Sequence, residues 1–196
     1  MMPTGVDTTI ETAASSEKDA SSGEGEPSRT CADIVIEDER WASVTGLVDL
    51  IPNLAAETLR AAHLSPGNHS VSIALLSDAE VRGLNKAFRG KDAPTNVLSF
   101  PSSASAHARG RECESLFLGD VALAYETVVS EASAQGKTVV QHAAHLVVHG
   151  VLHLAGFDHD GDADAERMEA AEGAVLARFG IPDPYRDDAA SLANAL

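Results

Sequence analysis

Four histidines lie along one apolar segment of the chain at helical spacing. His142, His145, His149 and His153 follow one another at intervals of three, four and four residues, so in a helix they share one face. His149 and His153 are one turn apart, a separation at which two imidazole nitrogens can bind one metal ion. We therefore predict a metal site on this face.

A further histidine follows the end of this segment. Gly156 ends the predicted helix, and His159 comes three residues later. The pattern His-x3-His-x2-Gly-x2-His has the spacing of the extended zinc-protease motif, including its turn glycine. Three neutral nitrogen ligands, from His149, His153 and His159, would leave a fourth position open for water, as a catalytic zinc site requires. We expect one Zn²⁺ per chain.

The residue after the first ligand bears on the chemistry. Zinc proteases carry a glutamate there as general base, whereas this chain has Gly150, which cannot accept a proton. Peptide hydrolysis by that route is therefore disfavoured. We interpret His142 and His145 as supporting or core residues rather than ligands. Asp158 either orients a ligand imidazole or stabilises the turn, and both interpretations stay open.

The elements that must position these residues follow from periodicity and capping. The histidine helix is predicted from Thr138, whose capping box is completed by Gln141, to Ala155, and its apolar surface predicts burial. Strands are predicted at 34–36, 69–76, 96–100 and 116–123, and further helices at 44–63, 77–88, 124–135 and 162–179. Strands come mostly first and helices mostly last, which favours an α+β domain with a small mixed sheet of about four strands and five helices.

Composition suggests one domain with loose ends. Residues 1–30 are rich in Ser, Thr, Ala and Glu and lack aromatics, so we expect a disordered acidic extension. A single domain is predicted at 31–188, with an exposed insertion at 102–114 and a tail at 189–196. No apolar run suits a membrane span, no leader pattern precedes the domain, and Cys31 and Cys113 are expected to be reduced thiols. We therefore expect a cytoplasmic protein.

Charge is distributed unevenly. The formal net charge of −16 argues at first against a nucleic-acid partner. Residues 82–111, however, contain six basic side chains against Asp92 alone, a local net charge of +5. Lys86, Arg89 and Lys91 of this segment are candidates for phosphate binding, the alternative being a solvated helix face and loop. Phe88 and Phe100 are interpreted as core residues, with base stacking as the alternative.

Three motifs together resemble one protein family. Residues 149–159 (HGVLHLAGFDH) closely resemble the signature of the YbeY family of endoribonucleases. Residues 88–92 (FRGKD) with 94–101 (PTNVLSFP) resemble its second motif, and 118–121 (LGDV) its third. The resemblance covers roughly residues 70–160.

The resemblance implies a fold, a metal and a reaction. It implies a zincin-like fold with zinc on His149, His153 and His159, and catalytic roles for Arg89 and His149. Members of the family cleave single-stranded RNA, process the 3′ end of small-subunit ribosomal RNA and act in ribosome quality control. It therefore implies a zinc-dependent endoribonuclease whose partners are RNA and the small ribosomal subunit, with no membrane or DNA partner.

Two positions depart from the family pattern. Asn96 stands where many members have aspartate, which affects a hydrogen bond or local charge near the cleft, and Phe157 stands where many have tyrosine. Asn96 is predicted, with Lys86 and Lys91, to contact substrate.

Two alternative functions stay open. One is a metal-dependent hydrolase of a peptide or ester. The other is a non-catalytic ribosome-assembly factor with structural zinc, for which His145 or Asp158 would supply the fourth ligand.

Overall fold

The computed structural model describes residues 31–103 and 116–185. The predicted extension at 1–30, the tail at 189–196 and most of the predicted insertion at 102–114 lie outside the described residues. So do Cys113 and two of the six basic residues counted in 82–111, Arg109 and Arg111. The domain boundaries therefore stay a prediction, while Cys31 is a free, buried thiol.

A mixed four-stranded sheet forms the centre of the fold. Its strands are β1 (Ala32–Ile36), β2 (His69–Leu76), β3 (Val97–Pro101) and β4 (Leu116–Ala124). They lie in the order β1-β2-β4-β3, with β1, β2 and β4 parallel and β3 antiparallel to β4. The described residues also form five α-helices: α1 (Leu47–Ala61), α2 (Asp78–Arg89), α3 (Tyr125–Ala134), α4 (Val139–Leu154) and α5 (Asp162–Ala177). The predicted α+β class is confirmed.

Helix α4, which carries the histidines, lies at the centre of the helical layer. It begins with the predicted capping box, in which Thr138 and Gln141 each accept a backbone hydrogen bond from the other. It contacts α1, α3 and α5 and also strands β3 and β4. Its valine, leucine and alanine side chains are almost all buried in the main core, which explains why it is apolar on nearly every side.

The predicted helix at 44–63 is wrong at its start. A short 3₁₀ helix at Glu39–Ser43 comes first, and α1 begins only at Leu47, after Gly46 adopts a left-handed φ of 82°. That conformation favours glycine and interrupts the helical path. Trp41 anchors the 3₁₀ helix because its buried indole Nε1–H donates to the carbonyl of Leu76 at 2.9 Å.

Strand β4 contains a bulge beside Gly119. The register of β4 against β2 shifts between Ser70 and Val71, which leaves Leu118 as the extra residue. Gly119 has a φ of 141°, and a Cβ there would lie 2.2 Å from the carbonyl oxygen of Phe100. Only glycine fits this position.

The two faces of edge strand β3 serve different purposes. Leu98 packs with α2 in a small second core, whose other buried members are Leu76, Val81, Ala122 and Ala124. Val97 and Ser99 alternate to the opposite face, where they line a cavity beside α4. Within the described parts of the chain, every helix is too short or too polar to span a bilayer.

Candidate metal centre

The structure brings together the three histidines that the sequence analysis predicted as ligands. One nitrogen from each of His149, His153 and His159 lies within 4.8 Å of the others. The two helical residues approach most closely, with their Nε2 atoms 3.1 Å apart. The ring of His159 reaches them from outside the helix, because Gly156 reverses the chain with a φ of 91°.

Hydrogen bonds at the far side of two rings indicate where their protons lie. Nδ1 of His149 is 2.8 Å from Oε1 of Glu172, and Nδ1 of His153 is 3.1 Å from the carbonyl oxygen of Phe157. Since both partners are acceptors, each Nδ1 must donate, which leaves a lone pair on each Nε2. Two lone pairs that face one another at 3.1 Å repel each other unless a cation lies between them. The two Nε2 atoms therefore fit the role of metal ligands.

Burial favours the neutral, metal-binding form of His153. It lowers the pKa of His153 below the usual value, and the neighbouring His149 lowers it further. A neutral imidazole offers its lone pair without first losing a proton. His153 can thus act as a metal ligand through that lone pair.

A fully buried carboxylate, Glu172, lies behind the site and was not among the residues predicted from the sequence. Besides His149, it accepts hydrogen bonds from Nε2 of His145 at 2.8 Å and from the hydroxyl of Tyr185. Burial by itself raises the pKa of Glu172, but the hydrogen bonds from these three side chains outweigh it and lower the pKa to about 2. The carboxylate is therefore ionised.

A signal for Glu172 was present in the sequence. It falls in an acidic stretch whose described part, 160–185, is mostly solvent-exposed, but it lies on the same helical face as Met168, Val175 and Leu176, all buried. An acidic residue on the apolar face of an amphipathic helix needs a buried partner. The position of Glu172 on the apolar face, rather than its negative charge, distinguished it from the exposed acidic residues around it.

The three histidines open onto a cavity of about 600 Å³. The remaining lining residues come from the end of α2, from the loop before β3, from β3 itself and from the turn after α4: Arg89, Asn96, Val97, Ser99, Pro101, Gly156, Phe157 and Asp158. A cavity of this size holds part of a polymer such as a nucleotide with its phosphates. It combines a cluster of nitrogen ligands with a guanidinium group.

Arg89 reaches this cavity because α2 ends beside it. The capping box of Ser77 and Glu80 starts the helix, as predicted, and Gly90 ends it with a φ of 70°. The loop that follows is tied down by Asn85, whose amide donates to the carbonyl of Ala93 at 2.7 Å. Arg89 is thus held at the rim by a helix end rather than by a free loop.

The other candidates for substrate contact lie in different surroundings. Lys86 and Lys91 are exposed and do not line the cavity. Lys86 pairs with Asp92 at 2.9 Å, and Arg82 binds the same carboxylate at 2.6 Å. The hydrogen bond from Arg82, followed by that from Lys86, lowers the pKa of Asp92. Part of the positive charge of this segment therefore fastens the loop to α2.

Asn96 does line the cavity, and its amide has a specific partner. Nδ2 donates to Oε2 of Glu131 at 3.0 Å, while Oδ1 accepts the backbone N–H of Val97 at 2.8 Å. The same Glu131 oxygen accepts from Nε2 of His142 at 2.7 Å. An ionised aspartate at position 96 would face this carboxylate without a proton to donate, so asparagine is the residue that fits here.

Two residues considered as a fourth ligand make hydrogen bonds to other groups, although Asp158 also lies close to His159 in a second possible metal group with Asp160. His145 donates to Glu172, and Oδ1 of Asp158 accepts the backbone N–H of His159 at 2.8 Å. Asp158 therefore stabilises the turn, one of its two expected roles. Among the residues that the structure describes, neither belongs to the cluster of His149, His153 and His159.

The expectation that Phe88 and Phe100 are core residues fails for Phe88. Its surface is 69% exposed, and its ring meets only the edge of Phe100 at a centroid distance of 5.1 Å. Phe100 is half-buried and packs against the second core. Phe88 precedes Arg89 in the last turn of α2, but it is not among the residues that line the cavity.

Comparison with known proteins identifies related chains. The family described as Endoribonuclease YbeY matches residues 35–180, a range that includes all five helices. Proteins named Endoribonuclease YbeY are 54% identical over 132 residues in Paramagnetospirillum magneticum (67% of this chain, 80% of the relative) and 46% identical over 158 residues in Azorhizobium caulinodans (78% and 94%). A relative of the same name in a Bradyrhizobium species is 41% identical over 155 residues (79% and 92%). The solution structure of TM1509 from Thermotoga maritima aligns with a TM-score of 0.50 at 25% identity, covering 81% of this chain and 98% of that one.

Proposed function

The chain belongs to the YbeY family of endoribonucleases, and from this premise we propose that it cleaves single-stranded RNA in the cavity above the histidine cluster. The observation that carries the proposal is the convergence of His149, His153 and His159 on one point of a cavity that Arg89 also lines. Phosphodiester cleavage builds negative charge on the phosphoryl oxygens, and a site with a metal and a guanidinium stabilises that charge.

We assign the metal site to His149, His153 and His159, and zinc to that site. Three imidazoles in close proximity suit Zn²⁺, which binds neutral nitrogen ligands in tetrahedral sites. When bound, the ion supplies Lewis-acid chemistry and an open coordination position. The protein's own contribution is to hold two Nε2 lone pairs on a rigid buried helix and a third nitrogen on a tight turn.

Arg89 binds the phosphate in this proposal. A guanidinium offers paired N–H donors that match two phosphoryl oxygens, and its position at a capped helix end limits how far it moves. Catalysis depends on donors held in place before charge develops, because no reorganisation is then needed. Arg89 and His149 are accordingly the residues to which we assign catalytic roles.

RNA contacts extend beyond the cavity. Lys86 and Lys91 lie on the exposed surface that leads to Arg89, and we assign them to the attraction of the RNA backbone. Asn96 lines the cavity itself and is assigned to substrate binding. The exposed ring of Phe88 suits stacking with an unpaired base, which single-stranded RNA offers and duplex RNA does not.

The finer biological role follows the family resemblance. We propose that the substrate is ribosomal RNA near the 3′ end of the small-subunit species, that the small ribosomal subunit is the partner, and that the protein acts in the cytoplasm in rRNA maturation and ribosome quality control. Residues 31–188 form the catalytic domain in this proposal, with 1–30 and 189–196 as extensions. Sequencing of small-subunit RNA ends in cells with and without the protein tests the substrate, and unchanged ends would contradict it.

The cleavage reaction itself is tested with purified protein. The full chain is stripped of metal with a chelator, assayed on labelled single-stranded and duplex RNA, and assayed again after Zn²⁺ is restored. We expect cleavage of the single strand only, lost on stripping and recovered with zinc. A parallel panel of peptide and ester substrates should give no turnover. Full RNA cleavage by the metal-free protein, or peptide cleavage instead, would overturn the proposal.

A further inference from the structure

Glu172 joins helix α5 to the back of the metal site. The carboxylate is fully buried, and each of its oxygens has an assigned partner: Oε1 accepts from Nδ1 of His149 at 2.8 Å, and Oε2 accepts from Nε2 of His145 at 2.8 Å and from the Tyr185 hydroxyl. A buried carboxylate without donors is strongly unfavourable, and three donors satisfy this one. The arrangement is a polar network at the edge of the apolar core, and within it only Nδ1 of His145, among the described atoms of these side chains, is buried without a partner.

This network determines which nitrogen of His149 can bind a metal. Oε1 of Glu172 lies 2.8 Å from Nδ1 of His149, and Oε2 already receives two other donors, so in the neutral tautomer of His149 the proton lies on Nδ1 and the lone pair on Nε2. Since Nε2 faces the matching atom of His153 at 3.1 Å, the carboxylate sets both the tautomer and the direction of the ring. His145 and Tyr185 in turn hold the plane of the carboxylate so that Oε1 is directed at His149.

We propose that Glu172 is a positioning residue of the metal centre, and that metal affinity depends on its carboxylate although it never touches the ion. The inference rests on the proposed function in requiring that His149 is a ligand. A carboxylate behind a ligating imidazole increases the basicity of the ring and removes its rotational freedom. The His149 ring therefore loses its rotational freedom when the protein folds, and not when the metal binds.

Helix α4 carries a second histidine, His142, that pairs with a carboxylate of a neighbouring helix, Glu131 of α3. Glu131 contacts Nε2 of His142 at 2.7 Å, which is again a carboxylate–imidazole pair reaching α4. His142 is not part of the cluster at His149. The Glu131 side chain is 34% exposed, whereas that of Glu172 is fully buried. A general effect of losing a carboxylate–histidine contact to α4 should still appear at both pairs, whereas a positioning effect should appear only at Glu172.

The experiment compares Glu172→Gln with Glu131→Gln in the full chain. Zn²⁺ affinity is measured by competition with a chromophoric chelator, and the absorption bands of bound Co²⁺ are recorded. We expect Glu172→Gln to bind Zn²⁺ about 10- to 100-fold more weakly and to shift the Co²⁺ bands. The Zn²⁺ affinity of Glu131→Gln should remain within about twofold of that of the original protein. Equal affinity in the two variants, or an unshifted Co²⁺ spectrum in Glu172→Gln, would overturn the proposal.

A second variant covers the case in which Glu172→Gln does not fold. Tyr185 is 44% exposed at the surface, so Tyr185→Phe removes one donor to the carboxylate with little effect on packing. We expect several-fold weaker Zn²⁺ binding, while the control Tyr125→Phe, whose ring packs on Trp41, leaves affinity unchanged. Unchanged binding in Tyr185→Phe would count against the network. Failure of the original protein to bind Zn²⁺ at all would instead overturn the proposed function.

Discussion

Gly150 packs so closely against Val121 of strand β4 that a Cβ on the glycine would lie 2.5 Å from the valine Cγ1. The same Cβ would also lie 3.2 Å from Oγ of Ser99, which donates to the Gly150 carbonyl. Position 150, directly after the first predicted ligand, therefore faces the sheet. The glutamate that zinc proteases carry at this position has no room here, so packing excludes a protease-type base.

This packing predicts the effect of adding a single methyl group. Gly150→Ala should lower the free energy of unfolding by about 1–3 kcal/mol, because β4 and β3 must shift to admit the new Cβ. Gly83→Ala is the matched control: it lies within α2 with no atom near its added Cβ, and it should raise that free energy by about 0.5–1 kcal/mol. Urea unfolding of both variants measures the difference. Equal effects of the two substitutions would contradict the packing argument.

Removal of one imidazole should remove the metal. His153→Ala leaves two nitrogen ligands, so we expect the zinc content after dialysis to fall from about one ion per chain to near zero. His69→Ala, on β2 with its ring against the carbonyl of Ser65, should keep its zinc. Elemental analysis gives both values. A His153→Ala protein with undiminished zinc would remove His153 from the ligand set.

Arg89 should act on catalysis rather than on folding or metal binding. We expect Arg89→Ala to keep its unfolding midpoint and its zinc while kcat for single-stranded RNA falls about 100-fold or more. Arg89→Lys should recover only part of the rate, since an ammonium group cannot bind two phosphoryl oxygens at once. Arg60→Ala, which breaks an exposed pair with Glu57, is the control and should cleave normally. Retention of full activity by Arg89→Ala would refute the assigned role.

The exposed ring of Phe88 predicts a change in RNA binding. Phe88→Leu removes a stacking surface but keeps an apolar side chain, so KM for single-stranded RNA should rise about fivefold or more while kcat changes little. Phe117→Leu provides the control, because Phe117 is also exposed, at 37%, but lies on β4 rather than beside Arg89 in the last turn of α2. Steady-state kinetics with both variants decide the matter. Identical KM values for the two would argue against stacking at Phe88.

His142 predicts how stability depends on pH. Burial lowers the pKa of His142, an effect larger than the opposing hydrogen bond to Glu131. The unfolded chain therefore takes up a proton near pH 6.5 while the folded chain does not, so this contribution to stability is present above about pH 6.5 and is lost as the pH falls below it.

The variant His142→Gln lacks this titration. The unfolding free energy of the original protein minus that of His142→Gln should therefore shrink between pH 7 and pH 5, measured by urea unfolding with chelator present. The remaining histidines are common to both proteins and cancel in the difference. A difference that stays constant or grows on acidification would show that His142 is not held neutral.

The features that the sequence predicted well are set by local interactions. Capping boxes at Ser77 and Thr138 marked the starts of α2 and α4, and the alternation at 69–76 gave β2 with its observed bounds. Spacing alone placed His149 and His153 on one face, since a helix has a fixed repeat. Gly156 and His159 were close enough in the chain for the turn between them to be inferred.

Only the tertiary structure revealed what surrounds these residues. Glu172 lies 23 positions from His149, and Asn96 lies 35 positions from Glu131, so no local repeat relates them. Likewise, the exposure of Phe88 and the lack of space at Gly150 depend on how far strands β3 and β4 lie from the helices. The sequence by itself determined the helices and strands and the three metal-binding imidazoles, because these features depend on residues that are close together along the chain. The partners of those imidazoles were decided by packing, because a buried polar group pairs with whichever group the folded chain brings within hydrogen-bond distance.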